Sequence, residues 1–248
     1  MIELGYWKHR GLLAALEMFC EHLGIDYVTN EYEVIELENG ATDPQGNKYD
    51  RSAWFDVKWD LGLPYPNLPY LIDNKNNLRI TDSFAILKYL GRKASAGLPK
   101  SIQEWAIAEN LESILGDIRY GFSMVCYLGA SPHNYFEVKL PILMEGLSNF
   151  LGSKNYLCTE NKPTYVDFYA FEILDQHLAY KNDIFEDFDS GNPEVNLLEG
   201  LKNWHFRCSN LSAVRKYRNS ADYAEFPINN KMAKWGGKGE REPTEFDK

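Results

Sequence analysis

Cysteine is scarce in this sequence, and the few present are not arranged for chemistry. Four occur in 248 residues: Cys20, Cys126, Cys158 and Cys208, far apart and without a CxxC pair. A thiol–disulfide redox motif and a zinc ribbon are therefore not indicated, and three of the four stand in apolar or helical contexts where a free buried thiol is expected. The five histidines, His9, His22, His133, His177 and His205, show no HxH or HExxH spacing, so no metal site and no disulfide are expected. Long apolar runs are missing too, and the N-terminus lacks the basic region followed by an apolar stretch that marks a secretory leader. The expectation is a cytoplasmic protein with no membrane partner. Cations are outnumbered, 26 Lys and Arg against 36 Asp and Glu, for a formal charge of −10, which disfavours nucleic acid.

What is present reads as globular: 44% hydrophobic and 25% charged residues, with no low-complexity tract before the tail. The most informative stretch runs from Tyr65 to Leu90. Pro69 suits the first residue of a strand, Tyr70 to Ile72 form a short apolar run, and Asp73 to Asn77 supply turn chemistry before Leu78 and Ile80 alternate. Thr81, Asp82 and Ser83 are good N-cap residues for a helix carrying Phe84, Ile86, Leu87, Tyr89 and Leu90. A hairpin thus feeds a helix start whose amides and dipole make an anion site. If the Leu68–Pro69 bond is cis, the N–H and C=O of Leu68 are left free to pair with an extended peptide. An ordinary capped hairpin explains the same residues.

In chain order, Ile2 to Trp7 predicts a strand, Leu12 to Leu23 a helix stopped by Gly24, and Tyr27 to Val34 a second strand. That is a βαβ unit with two parallel strands. Residues 35 to 49 read as an exposed loop, and Asp50-Arg51-Ser52 as a cap. Strand, helix, strand, short helix, strand, strand, helix is the order of a thioredoxin-like α/β domain with a mixed four-stranded sheet. After a linker the periodicity turns helical: one long helix from Ser101, another through Leu151, a capping box at Thr164 and Asp167, then helices at Asn196 to Phe206 and Leu211 to Arg218. The expected division is 1–93 thioredoxin-like, 94–100 linker, 101–219 an all-α bundle, and 220–248 a tail in which Met232 and Trp235 pack back and Gly239 onward is disordered.

Five words in order narrow the reading: LGYWKHRG from Leu4 to Gly11, YDRSAW from Tyr49 to Trp54, LGLPYPNLPYLID from Leu61 to Asp73, TYVDF from Thr164 to Phe168 and KMAKWG from Lys231 to Gly236. Together they resemble the mu class of cytosolic glutathione transferases over almost the whole chain. The resemblance implies a homodimeric enzyme that adds the glutathione thiol, a co-substrate rather than a cofactor, to small hydrophobic electrophiles in detoxification. It implies Tyr6 as the catalytic residue, its phenol donating to the glutathione sulfur. A free thiol of pKa about 8.5 is only a few per cent ionised at neutral pH, and lowering it by about two units takes roughly 2.7 kcal/mol. One charge-assisted hydrogen bond of roughly 1.5–3 kcal/mol is that size.

By the same resemblance Trp7, Arg51, Trp54 and Lys58 meet the glycine end of glutathione, where Arg and Lys suit a carboxylate and an indole adds a donor. Asn67, Leu68 and Pro69 meet the cysteinyl unit, Asp82 and Ser83 the γ-glutamyl end, and Asp117 reaches across the dimer to the γ-glutamyl ammonium. His9, Tyr120 and Tyr127 fall to the second-substrate pocket, and Tyr65 to an aromatic key inserted into the partner subunit.

Three departures from the family stand out. Asp82 replaces a usual Gln, and a carboxylate there can meet the ammonium while repelling the ligand's own carboxylate. The loop between Val34 and Tyr49 is several residues longer than usual, in a region that lines the second-substrate pocket. His9 replaces an apolar residue and is either a pH-sensitive contact to the electrophile or an exposed ring. These departures keep two alternatives in view: a non-catalytic protein binding glutathione or hydrophobic ligands, and a glutathione-dependent isomerase.

Overall fold

A computed structural model describes residues 1–43, 46–180, 195–221, 223 and 226–237, without the side chains of 195–198. Strand β1 (Ile2–Trp7) is central to the sheet. It runs parallel to β2 (Tyr27–Tyr32), with Ile2 opposite Tyr27, and antiparallel to β5 (Tyr70–Asp73), with Leu4 opposite Leu71. Strand β6 (Leu78–Thr81) closes the order β2-β1-β5-β6. Alternation sends Ile2, Leu4 and Tyr6 to the main core with Leu71, against α1 (Leu13–Leu23) and the later helix α3. The opposite face carries a smaller cluster of Tyr32, Trp54, Leu63, Tyr70 and Ile72. Gly5 makes that face possible, because a Cβ there would lie 2.0 Å from the Tyr70 ring.

Helix α1 stops where expected, with Gly24 left-handed at φ 65° and its N–H donating to the carbonyls of Cys20 and Glu21. Residues 35 to 49, expected as plain loop, contain a two-residue ladder of β3 (Ile35–Glu36) with β4 (Tyr49–Asp50). The loop's turn residues lie between the two paired ends, so its turn-rich composition obscured the pairing. Helix α2 (Ser52–Phe55) follows, then β5, β6 and α3 (Ser83–Ala94), capped by the Asp82 carboxylate accepting from Ala85 N–H at 2.9 Å.

Beyond the linker, α4 (Ile102–Leu128) starts in a reciprocal capping box between Ser101 and Glu104. The helix expected to open at Pro132 or His133 starts at Pro132, then widens into a π-type turn at Asn134–Lys139 before α5 (Leu140–Leu151). Helix α6 (Tyr165–Tyr180) is buried on all sides from Tyr165 to His177 and is the axis of the helical half. Helices α7 (Val195–Ser209) and α8 (Ser212–Arg218) pack at its side and against α1. The segment 226–237 returns to the sheet, with Trp235 buried and Met232 half-buried, while the call on Gly239 onward lies outside the described residues. Among the described residues no helix is long and apolar enough to cross a membrane.

The Thr164–Asp167 box does more than start α6. Asp167 is fully buried, and its carboxylate accepts from Leu157 N–H at 2.9 Å, the Trp204 indole at 3.0 Å, Thr164 N–H at 2.9 Å and the Thr164 hydroxyl at 3.1 Å. One side chain thereby ties the preceding loop, α6 and α7 together. Burial pushes its carboxyl pKa up against the pull of those donors. Asp167→Ala leaves four buried donors without an acceptor and should cost about 3 kcal/mol or more. Urea unfolding measures this, and a loss under about 1 kcal/mol would show that the hub is dispensable.

Candidate functional site

The turn between β1 and α1 carries Tyr6, Trp7, His9, Arg10 and Gly11, and it is held from two sides. Arg10 is buried and forks onto α6: Nε donates to Glu172 Oε1 at 3.1 Å, and Nη2 donates to Glu172 Oε2 at 3.1 Å and Asp175 Oδ2 at 2.7 Å. Its guanidinium also stacks over the Tyr223 ring at 4.3 Å. Burial alone would lower its proton affinity, but the two carboxylates outweigh that and hold it charged. From the other side, the backbone N–H groups of Arg10 and Gly11 donate to the carbonyls of Pro227 and Ile228 at 2.9 and 3.1 Å. Gly11 sits at φ 37°, and a Cβ there would meet His9 Nε2 at 2.6 Å and Tyr6 Cε1 at 2.7 Å. Only glycine lets the turn close over both rings.

Above this turn lies a cavity of about 190 Å³, lined by β1 and its turn (Tyr6, Trp7, His9, Gly11), α4 (Arg119, Phe122, Ser123, Tyr127), Gln176 of α6, and Asn229 and Asn230 of the C-terminal segment. Tyr6 is 5% exposed, and among the described residues none hydrogen-bonds its hydroxyl, so its proton is free for a ligand. Tyr127 O accepts from Asn230 N–H at 3.1 Å, and burial pushes its phenol pKa upward, so it stays a protonated donor. Gln176 is pinned by donating to Gly11 O at 3.0 Å and Glu172 Oε1 at 2.8 Å. A second hollow of about 180 Å³ adjoins, sharing Trp7 and Asn230 and adding Lys8, Glu33, Val34, Phe226 and Lys231.

His9 is not an exposed ring. It is 3% exposed, lies 5.1 Å from the Tyr6 ring centroid, and has a buried Nδ1 without a hydrogen-bond partner. Burial first, and the Arg119 charge second, lower its pKa to about 3. It is a neutral, half-unsatisfied wall of the cavity and does not titrate near neutrality.

The remaining expected residues fall into separate places. Tyr120 does not line the cavity: it is 67% exposed, because α4 turns Arg119, Ser123 and Tyr127 inward at spacings of four and carries position 120 to solvent. Trp54 is buried, stacked on Tyr70 at 6.0 Å and edge-on to Tyr32, while Arg51 and Lys58 flank Phe55 at 5.1 and 4.5 Å. Arg51 also lines a hollow of about 510 Å³ with Asp43, Asp50 and Asp56. Among the described residues of 35–49 none lines the 190 Å³ cavity, and Asp43 and Asn47 line this other hollow. The Leu68–Pro69 bond is cis. The Leu68 N–H is nevertheless not free, since Asn67 Oδ1 accepts from it at 3.0 Å in the exposed loop; among the described residues none donates to the Leu68 carbonyl. Ser83 is buried at the start of α3, within hydrogen-bonding reach of the Tyr169 phenol, and Asp82 stands beside it at φ 80°. The Asp82 carboxylate already holds Ala85 N–H, so it takes one of the amides that an anion at this helix start would use. Tyr65 and Asp117 are exposed.

Sequence reading missed Arg119, Phe122, Ser123, Gln176, Asn229 and Asn230. Counting back four and eight from Tyr127 reaches Ser123 and Arg119, a helical signal that was available. Gln176 and the two asparagines reach the cavity only through tertiary packing. Among the described residues no cluster of three or more His, Cys, Asp or Glu is arranged to hold a metal ion.

Two family models match: Glutathione S-transferase, N-terminal domain, over residues 2–92, and Glutathione S-transferase, C-terminal domain, over residues 116–221. Among curated proteins, the chain is similar to Glutathione S-transferase Mu 2 of Rattus norvegicus, 37% identical over 242 residues that cover 95% of this chain and 98% of that protein. It is similar also to Glutathione S-transferase Mu 3 of Homo sapiens, 35% identical over 240 residues, 95% of each chain. The crystal structure of the glutathione S-transferase Blo t 8 superposes with a TM-score of 0.71 at 27% identity, covering 94% of this chain and 99% of that one.

The burial of His9 makes a pH prediction. Its folded pKa lies below the value of about 6.5 expected in the unfolded chain, so the unfolded state binds the extra proton and stability falls as pH drops below about 6.5. Nitrogen-15 histidine spectra should show the His9 ring unchanged from pH 8 to 5. A midpoint between 6 and 7 assigned to His9 would contradict its burial.

Proposed function

The chain belongs to the glutathione S-transferase family, with mu-class proteins among its relatives, and on that premise we propose that Tyr6 is the residue that activates the thiol. The activity is conjugation of glutathione to electrophiles, and the chain is a transferase. The observation that carries the Tyr6 assignment is its phenol, buried in the wall of a cavity and without a hydrogen-bond partner among the described residues. A sulfur placed there receives the O–H of Tyr6, which stabilises the thiolate by the size of one charge-assisted hydrogen bond, roughly 1.5–3 kcal/mol.

In this reading glutathione lies along the sheet's edge. Its cysteinyl unit meets the Leu68 carbonyl beside the cis bond, and its γ-glutamyl carboxylate meets Ser83 at the start of α3. Arg51 and Lys58, with Trp7 and Trp54, take the glycine end, where two cations suit a carboxylate. Asp82 is committed to Ala85 N–H, which leaves its second oxygen for the ammonium. We assign residues 1–93 to glutathione and 101–219 to the electrophile, divided at 94–100, with 220–248 as a tail whose Asn229 and Asn230 join the cavity wall. A cytoplasmic location and a homodimer complete the proposal. Tyr65, 76% exposed on the loop before β5, is the aromatic key, and Asp117, exposed and outside its own chain's cavity, serves the partner's glutathione.

Tyr6→Phe removes the donor and little else. It should lower kcat/KM with a chromogenic aryl halide by about 30- to 100-fold, matching the loss of roughly 2–3 kcal/mol, while glutathione affinity changes by less than about threefold. The pH profile should shift upward toward the free thiol. Unaltered turnover, or parallel loss of affinity and turnover, would remove Tyr6 from its role. Sedimentation tests the dimer: the wild type should run at twice the chain mass and Tyr65→Ala should dissociate at least about tenfold more readily, as expected for a buried aromatic anchor. A single-chain mass at micromolar concentration would end the homodimer reading.

A further inference from the structure

The cavity beside Tyr6 is charged and polar where its electrophile must sit. Arg119 lines it from α4, half-buried, and makes no hydrogen bond or ion pair with any described residue. It is close enough that its charge disfavours protonation of His9 and favours the anionic form of both Tyr127 and Tyr169. His9 is 3% exposed, and its Nδ1 is buried without a partner in the wall of the same cavity. A guanidinium without a counter-ion in the wall of this cavity is the group with which an oxygen anion placed there would pair. The rings of Trp7 and Phe122 give the cavity two flat apolar surfaces, and its 190 Å³ is about the room of one substituted aromatic ring.

We propose that the electrophile is a small aromatic or conjugated molecule bearing a carboxylate, which Arg119 binds through its guanidinium. The proposal deepens the transferase reading and rests on it. Arginine suits the role because its fork matches a carboxylate in two parallel hydrogen bonds and keeps its charge throughout the working pH range. His9, buried and held neutral in the wall, adds no second cation beside Arg119. Ser123, one turn along α4 from Arg119, and the pinned Gln176 fill the polar rim. Glutathione binds at the sheet's edge and its sulfur reaches Tyr6, so the carboxylate lies on the side of the electrophile away from the tripeptide.

The test uses two probes that differ in charge alone at one position, 4-chloro-3-nitrobenzoate and 4-chloro-3-nitrobenzamide. In each, the glutathione sulfur bonds to the ring carbon bearing chlorine, chloride leaves with the C–Cl electron pair, and the thiol proton passes to solvent. Each kcat/KM is divided by the uncatalysed rate with glutathione at the same pH, which removes the difference in ring reactivity. The full-length wild type should favour the benzoate by about tenfold or more, the scale of one charge-assisted pair. Arg119→Gln should lose about tenfold more on the benzoate than on the benzamide, and Arg119→Lys, which keeps the charge, should retain a preference. Equal losses in Arg119→Gln, or a wild type without preference, overturns the proposal. Should Arg119→Gln not fold, inhibition of the wild type by unreactive 3-nitrobenzoate and 3-nitrobenzamide decides, and equal inhibition overturns it. Tyr6→Phe separates this idea from the one it rests on. The benzoate preference must survive in that variant whatever happens to its turnover, whereas unchanged turnover there strikes at the thiolate assignment alone.

Discussion

The fork of Arg10 onto Glu172 and Asp175 fixes the relation between sheet and helices on which the site depends. The β1–α1 turn that carries Tyr6 and His9 belongs to the sheet, and the opposite wall belongs to α4 and α6. A cavity between them keeps its shape only if the turn cannot slide along α6. Three hydrogen bonds from one buried guanidinium, with Gln176 tying Glu172 back to the Gly11 carbonyl, prevent that. Such a buried ion group adds little net stability, since desolvation offsets much of its attraction. Its contribution is positional: a hydrophobic contact of the same area would tolerate translation, and a bidentate fork does not.

The C-terminal segment acts on the same turn from outside. Its Pro227 and Ile228 carbonyls satisfy the N–H groups of Arg10 and Gly11, Lys234 N–H donates to the Cys126 carbonyl at 2.7 Å, and Asn230 N–H meets Tyr127. The segment is therefore built into the cavity and not merely laid on it. Its own shape is held internally, with Asn229 Nδ2 donating to the Trp235 carbonyl at 3.0 Å. Lys231 pairs with Glu33 at 3.0 Å beyond β2, a half-exposed contact that orients more than it stabilises. Asn229 and Asn230 enter the wall because backbone hydrogen bonds on both sides fix the segment's path.

Much of this arrangement was legible in the sequence where local rules are strong. Gly24 is the helix stop, Asp82 is the cap among the three candidates Thr81, Asp82 and Ser83, and the Thr164–Asp167 box forms in one direction, the Asp167 carboxylate accepting from Thr164 N–H while Asp167 N–H donates to the Thr164 carbonyl; each depends on residues within four positions of itself. The mixed four-stranded sheet followed from a βαβ unit joined to a hairpin, whereas the placing of β1 beside β5 is seen only in the structure. Tyr120, expected at the second-substrate pocket, is exposed and outside the lining of the Tyr6 cavity, and counting around α4 from Tyr127 would have reached Arg119 and Ser123. The β3–β4 ladder was hidden by the twelve residues between Glu36 and Tyr49, whose composition says turn. Gln176, Asn229 and Asn230 could not have been found, since no pattern in the chain announces that α6 and a C-terminal segment share a cavity with β1. His9 was recognised as unusual, but its burial depends on Gly11 closing the turn, which only the backbone reveals.

The protein's own thiols sharpen what the cavity must do. All four cysteines are free and buried, and burial drives their pKa values up, to about 12 for Cys126 and Cys158, so each is held as an inert thiol. Cys126 stands one residue from Tyr127, which lines the cavity. Within one helical turn, then, a sulfur surrounded by apolar side chains is kept protonated, while the space by Tyr6 presents a phenol proton, the Tyr127 phenol and the Arg119 charge. The difference between an inert and a nucleophilic sulfur here is the number and direction of the donors around it. A thiol brought in by a ligand meets donors already oriented by the Arg10 fork, and no reorganisation is required when its charge develops. Cys126 and Cys158 each have one polar neighbour, Asn229 and the Thr164 hydroxyl at 3.2 Å, which does not offset their burial.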